Sequence, residues 1–146
     1  MAKNNKPFLA LIVLGAIVGM IVLQIKEEFA TMDPKLGEIK EVLKQLDPRA
    51  SQLTLYEGDK SYTVNKEKMT LCIKVPGTEQ YYDDNTLRYV AIHELAHATN
   101  QQDIGHTPAF YKEFDRLLDI AAQKGLYNPN KPIPDNYCNY KKGGGH

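Results

Sequence analysis

Hydrophobic positions along the chain change period several times, and each change predicts an element. Phe8 to Leu23 is an unbroken apolar run. Taken from Pro7 to Ile25, it has a helical length of about 28 Å, enough to cross a bilayer core. After Asp33-Pro34, which opens a helix, Leu36, Ile39, Val42, Leu43 and Leu46 recur at helical spacing until Asp47-Pro48. The period then drops to two over Gln52 to Tyr56, Ser61 to Val64 and Met69 to Val75. The polar stretches Glu57-Gly58-Asp59-Lys60 and Asn65-Lys66-Glu67-Lys68 separate these strands, which predicts a β-meander. Asn85 to Thr99 returns to helical spacing, with Asp84 or Asn85 as N-cap and Leu87, Ala91, Leu95 and Ala98 along one side. A second long helix, Pro108 to Lys124, starts behind the Thr107 cap and carries Phe110, Phe114, Leu117, Leu118 and Ala121 on its apolar face. It ends at Gly125-Leu126 in the manner of a Schellman motif. Beyond Tyr127, Pro132, Pro134 and several polar residues predict a tail lying extended or disordered.

Together these elements predict an α+β chain in three parts. Residues 1–26 form an N-terminal transmembrane helix, residues 27–128 one domain, and residues 129–146 the tail. The domain is expected to hold a small antiparallel sheet of about three strands packed on the two long helices. In the last strand Met69, Leu71, Ile73 and Val75 share the core face, while Thr70, Cys72 and Lys74 face outward. As the strand preceding the helix of Asn85 to Thr99, it is expected to offer a free edge. An extended peptide could join the sheet there.

The apolar run is followed by Gln24, Ile25, Lys26, Glu27 and Glu28 rather than by small residues, so it reads as an uncleaved anchor and not as a signal peptide. Lys3 and Lys6 precede it and Lys26 follows it beside two acids. That bias places the N-terminus in the cytoplasm and the domain on the lumenal or exterior side of a single-pass membrane protein. Gly15 and Gly19 form a G-x-x-x-G spacing through which two copies could pair as a homodimer.

Charge narrows the range of partners. The chain balances 18 Lys and Arg against 18 Asp and Glu. Lys3, Lys6 and Lys26 belong to the anchor, so the remainder is mildly acidic. It has no clustered basic stripe, and no autonomous nucleic-acid binding is expected. The two cysteines, Cys72 and Cys138, match no zinc knuckle; they read as two free thiols or as one disulfide tying the tail to the sheet.

Three of the 4 histidines lie between residues 93 and 106, in His93-Glu94-Leu95-Ala96-His97 and in Gly105-His106. On a helix, residues four apart stack on one face, so His93 and His97 can share one ion, with Glu94 beside them as a base. Catalytic zinc takes three protein ligands and keeps a position for water. His106, fixed just ahead of the Thr107-Pro108 helix start, is the expected third ligand, and Glu113 on the second helix is the alternative. This constellation predicts a Zn2+-dependent peptidase acting on protein or peptide substrates. A zinc-activated water attacks the carbonyl, and Glu94 is the general base that carries the proton to the leaving amine. Tyr137 is a candidate hydrogen-bond donor to the oxyanion. The competing expectation is a membrane-anchored structural or adaptor protein whose metal is not catalytic.

The same residues carry a family resemblance. His-Glu-Leu-Ala-His at 93–97, a short polar loop, then Gly105-His106-Thr107-Pro108-Ala109-Phe110 and an amphipathic helix resemble the WLM metallopeptidase family and its SprT-like relatives. In that pattern an HExxH helix is followed by a Gly/His element with the third zinc ligand and then by a Phe. The resemblance spans roughly Met69 to Tyr140. It implies a zincin-like fold, zinc on His93, His97 and His106, and Glu94 as general base. The compact form with a leading apolar segment is similar to short membrane-anchored WLM-type proteins of large DNA viruses. The DNA-repair role of other members is not carried over, because the basic stripe is missing.

Overall fold

The computed structural model describes residues 6–31, 33–100 and 105–139. The loop expected between the two long helices falls partly on residues 101–104, which lie outside the described residues. So do Lys3, the side chains of Lys6 and Lys26 to Glu28, and the tail from Tyr140 to His146. The chain divides into two compact units, Met1–Met32 and Asp33–His146.

In the first unit α1 is a single helix, Lys6–Thr31. Within it Pro7–Gln24 is long and apolar enough to cross a membrane, and the described side chains of that stretch are all exposed. It is the one candidate span among the described residues. The helix runs on past the predicted boundary at residue 26.

The second unit opens with α2, Pro34–Leu46, where the Asp33 carboxylate caps the first turn by accepting from the Lys35 amide at 2.9 Å. Leu36, Ile39, Leu43 and Leu46 are buried as the spacing requires, and Val42, at the edge of the stripe, is half-buried. A 3-10 turn, Pro48–Gln52, leads to the sheet.

The three strands are β1 (Thr54–Glu57), β2 (Tyr62–Val64) and β3 (Lys68–Leu71). They form a mixed sheet in the order β1-β3-β2, which corrects the antiparallel meander expected from the sequence. β2 and β3 do make a hairpin, joined by Asn65, Lys66 and Glu67; Asn65 and Lys66 have left-handed φ (51° and 59°), and the Glu67 amide closes the turn on the Val64 carbonyl at 3.2 Å. β1 does not join it as a meander. The Gly58 amide instead extends a parallel ladder by donating to the Leu71 carbonyl at 3.0 Å, and the chain crosses the end of β3 before returning as β2. Burial explains the order: β3 contributes Met69 and Leu71, both essentially inaccessible, whereas β1 buries only Leu55 and β2 nothing. The most apolar strand takes the centre. β3 therefore has no free edge, and the free edge that borders the cleft described below belongs to β2.

β3 also ends sooner than predicted. After Leu71 the chain leaves the ladder, and Lys74 pairs with Tyr81 in an isolated bridge. Cys72, expected to face outward, is buried beneath Tyr137 and Cys138.

Two helices complete the unit. α3, Asp84–Thr99, is capped by Asp83, one residue earlier than expected, whose carboxylate accepts from the amides of Asn85 and Thr86. Leu87, Ala91, Ile92 and Leu95 are buried on its core side. α4, Pro108–Gln123, starts at the Thr107 cap. It stops in the predicted Schellman motif, with Leu126 bonded to Ala121 and Gly125, at φ 68°, to Ala122.

The described part of the tail, up to Asn139, is not free. Asn128 exchanges two hydrogen bonds with the Asn85 side chain, Lys131 pairs with Asp83 at 2.8 Å, and the 3-10 turn Tyr137–Asn139 is tied to the sheet by a Cys72–Cys138 disulfide. The link closes a loop of 66 residues in sequence. Reducing it should therefore lower stability by about 4 kcal/mol, chiefly by freeing the unfolded chain. Urea unfolding with and without reductant measures this, and coincident curves would contradict it.

Candidate metal centre

The site begins with α3. His93 and His97 stand one turn apart on the same face, and Gly105 brings in the third histidine. At φ 98°, Gly105 holds a backbone conformation that side-chain-bearing residues rarely adopt, and it turns the chain so that His106 points back at α3. The three Nε2 atoms form a nearly equilateral triangle: His93 to His97 3.3 Å, His97 to His106 3.2 Å, His93 to His106 3.0 Å. Beneath them lies Phe110, fully buried, its ring stacked on His97 at 4.2 Å and edge-on to His93 and His106 at 4.9 Å each. A residue marked as core by its spacing is thus also the floor that holds three imidazoles in place.

Electrostatics favour a cation at this point. Burial, reinforced by any charge on His97 and His106, holds the His93 imidazole down to about 3, and burial with His106 lowers His97 as well. Both rings are neutral near pH 7, so each keeps one nitrogen lone pair that it can offer at Nε2 when its proton sits on Nδ1. Three ring nitrogens gathered at one point can turn their lone pairs together on a single cation. An ion bonded to imidazole nitrogens at about 2.0–2.1 Å in tetrahedral geometry spaces those nitrogens by about 3.3 Å. The donor set therefore fits a metal ion, and the three residues expected to hold one are the three brought together.

Glu94 is 5% exposed and borders the same cleft. Burial pushes its carboxyl up to about 7, opposed by a hydrogen bond from the Thr63 hydroxyl to its carboxylate at 2.9 Å. Thr63 also donates to the Glu94 carbonyl at 3.1 Å. It occupies the inward row Leu55-Met69-Thr63 across the sheet, where it replaces an apolar residue with a donor. Sequence reading missed Thr63. The available signal was a polar residue at the inward position of a strand.

The shift of Glu94 has a sign that can be tested without any metal. Its folded value lies above the unfolded 4.5, so the fold loses stability as pH rises from about 4.5 to 7. Glutamine carries no such charge. Metal-free Glu94→Gln should match wild type near pH 4.5 and exceed it by about 2–3 kcal/mol at pH 8. Equal denaturant midpoints at pH 8 would contradict the buried carboxylate.

Glu113, the alternative ligand, is occupied elsewhere. It accepts from Thr99 at 2.8 Å and from Arg116, and pairs with Arg49, which in turn holds the Thr99 carbonyl at the end of α3. It braces the helix and is not part of the histidine cluster. Tyr137 does reach the cleft, but its hydroxyl proton goes to the Cys72 carbonyl. The cleft has a volume of about 1060 Å³, with β2 along one side and Tyr89 and Val90 of α3 on the other.

The relatives that the chain matches are viral proteins. It is 44% identical over 90 residues to the uncharacterized protein 136R of Invertebrate iridescent virus 6, covering 60% of this chain and 50% of that protein. It is 44% identical over 88 residues to the uncharacterized protein 042R of Invertebrate iridescent virus 3, covering 60% and 55%. Against the uncharacterized protein R325 of Acanthamoeba polyphaga mimivirus it is 35% identical over 112 residues, covering 71% and 56%. No family model and no solved structure matches the chain. The chain spans about half the length of the curated relatives it matches, and their names assign no activity.

Proposed function

We propose that the chain is a zinc-dependent metallopeptidase of the WLM and SprT-like kind, with a zincin-like domain anchored to a membrane by α1. The observation that carries this reading is the convergence of three Nε2 atoms beside a buried glutamate in a cleft open to a strand edge. A closed structural site usually has four protein ligands, often cysteines; three histidines leave a position for water.

His93, His97 and His106 would hold the ion, which when bound acts as a Lewis acid and lowers the pKa of its water to about 7. Glu94 takes a proton from the attacking water and returns it to the leaving amine. Thr63 orients that carboxylate and keeps part of its charge available. The free edge of β2 receives the substrate as an added strand, main chain to main chain.

The anchor is a single pass over residues 7–25, with the peptidase domain on the lumenal or exterior side. The disulfide agrees with that side, because such bonds persist in oxidising compartments. Gly15 and Gly19 meet nothing within 4 Å and leave a small-residue face on α1 for a second copy. The test is metal analysis of the full chain in detergent together with digestion of unfolded casein. One zinc per chain, with cleavage abolished by chelator and restored by zinc, is expected. A zinc-loaded chain that leaves casein intact overturns the reading.

A further inference from the structure

One side of the cleft is built by the tail. Among the residues lining it, Tyr137 alone comes from beyond α4. Its ring is held from several directions. The hydroxyl donates to the Cys72 carbonyl and accepts from the Ser61 hydroxyl at 2.9 Å, and Ser61 in turn accepts from the Cys72 amide at 3.0 Å. The ring packs on Tyr82 at 4.8 Å. The next residue, Cys138, is bonded to Cys72 and donates its amide to the Tyr82 hydroxyl at 2.8 Å. Cys138 has a left-handed φ of 49°, a conformation that residues other than glycine and asparagine hold chiefly where their surroundings impose it. The strap is therefore fixed, not merely resting on the sheet.

What the strap encloses is apolar. Val90 packs against the Cys72-Tyr137-Cys138 cluster and lies three residues before His93, on the same face of α3. Tyr89, beside it, is set by the rings of Phe114 at 5.3 Å and Tyr127 at 5.9 Å. Tyr89, Val90 and Tyr137 carry no charge, and the two lysines of the cleft, Lys60 and Lys66, sit beyond the two ends of β2. A peptide extended along β2 points alternate side chains toward α3, and the one next to His93 meets this wall.

We infer that Tyr137, latched by the Cys72–Cys138 bond, is the specificity-determining wall of the cleft, and that the recess it closes with Tyr89 and Val90 selects a large apolar side chain of the substrate. This rests on the peptidase reading for the word substrate, yet binding can be measured without cleavage.

The test uses the full-length Glu94→Gln chain in detergent with zinc, and fluorescently labelled Gly/Ser decapeptides with or without one central Phe, followed by anisotropy. The Phe peptide is expected to bind about tenfold more tightly. Adding Tyr137→Ala, or Cys72→Ser with Cys138→Ser, should reduce that ratio to within about twofold. Tyr137→Phe, which keeps the ring, should preserve it. Val90→Phe, which fills the recess from a well-folded helix, should abolish it even where Tyr137→Ala does not fold. Equal binding of the two peptides, or a preference that survives Val90→Phe, overturns the inference. Casein cleavage by the wild-type chain is read separately: cleavage without side-chain preference sinks this inference alone, and an apolar preference without cleavage sinks only the peptidase reading.

Discussion

Glu94→Gln should reduce cleavage of an unfolded protein by about 10²–10⁴-fold while leaving zinc content unchanged. The substitution keeps the size of the side chain and an oxygen to accept from Thr63, whose hydroxyl lies 2.9 Å from the carboxylate. His93, His97 and His106 are untouched, so the ligand triangle keeps its spacing. What is lost is the capacity to take a proton. The carboxyl is set near 7 by burial, where it can both accept and release one, although a cation at the histidines would pull it lower. Rate and metal content must be measured on the same preparation. A variant that retains zinc and wild-type cleavage would remove Glu94 from the chemistry. Loss of zinc with loss of activity would instead give Glu94 a role in holding the site.

The same variant should be more stable than wild type at alkaline pH in the absence of metal, as argued from the sign of its shift. These two expectations share one cause. A carboxylate placed on the core side of a cleft, 5% exposed, is costly to ionise, and that cost is what brings its affinity for a proton into the working range. Thr63 moderates the cost. It does so only because β2 lies against α3, an outcome of the strand order and not of any local sequence signal.

That contrast runs through the whole domain. Helix starts and stops were legible because their causes are local: Asp33 with Pro34, Thr107 with Pro108, and Gly125 with Leu126 act within one turn. The histidine cluster was legible for the same reason, being one turn of helix plus a glycine-turned cap. Strand order was not. Glu57-Gly58-Asp59-Lys60 has the composition of a hairpin turn, but pairing is decided by which strand buries most, and Met69 and Leu71 put β3 in the centre. Cys72 is buried where strand alternation predicts an outward position, because alternation says which side a residue is on and not what covers that side. The cover comes from Tyr137 and Cys138, a sequence distance of 66 residues from one cysteine to the other.

His106→Ala should change stability in two different ways depending on zinc. Without metal, the Nε2 of His106 lies 3.0 Å from that of His93 and 3.2 Å from that of His97, so beyond its ring packing it adds at most exposed N–H···N contacts to the fold. His106 is also exposed, so its removal leaves little cavity. The metal-free variant should therefore stay within about 1 kcal/mol of wild type in stability. With zinc the effect is much larger. An ion that binds only the folded chain adds about 2.7 kcal/mol at a hundredfold excess over its dissociation constant, which for a domain of this size raises the melting temperature by roughly 10 °C. Removing one of three ligands should forfeit most of that rise. Thermal melts of both chains in chelator and in zinc give the four values needed. An equal zinc-dependent rise in wild type and His106→Ala would exclude His106 as a ligand, whereas a large loss in chelator alone would make it a packing residue.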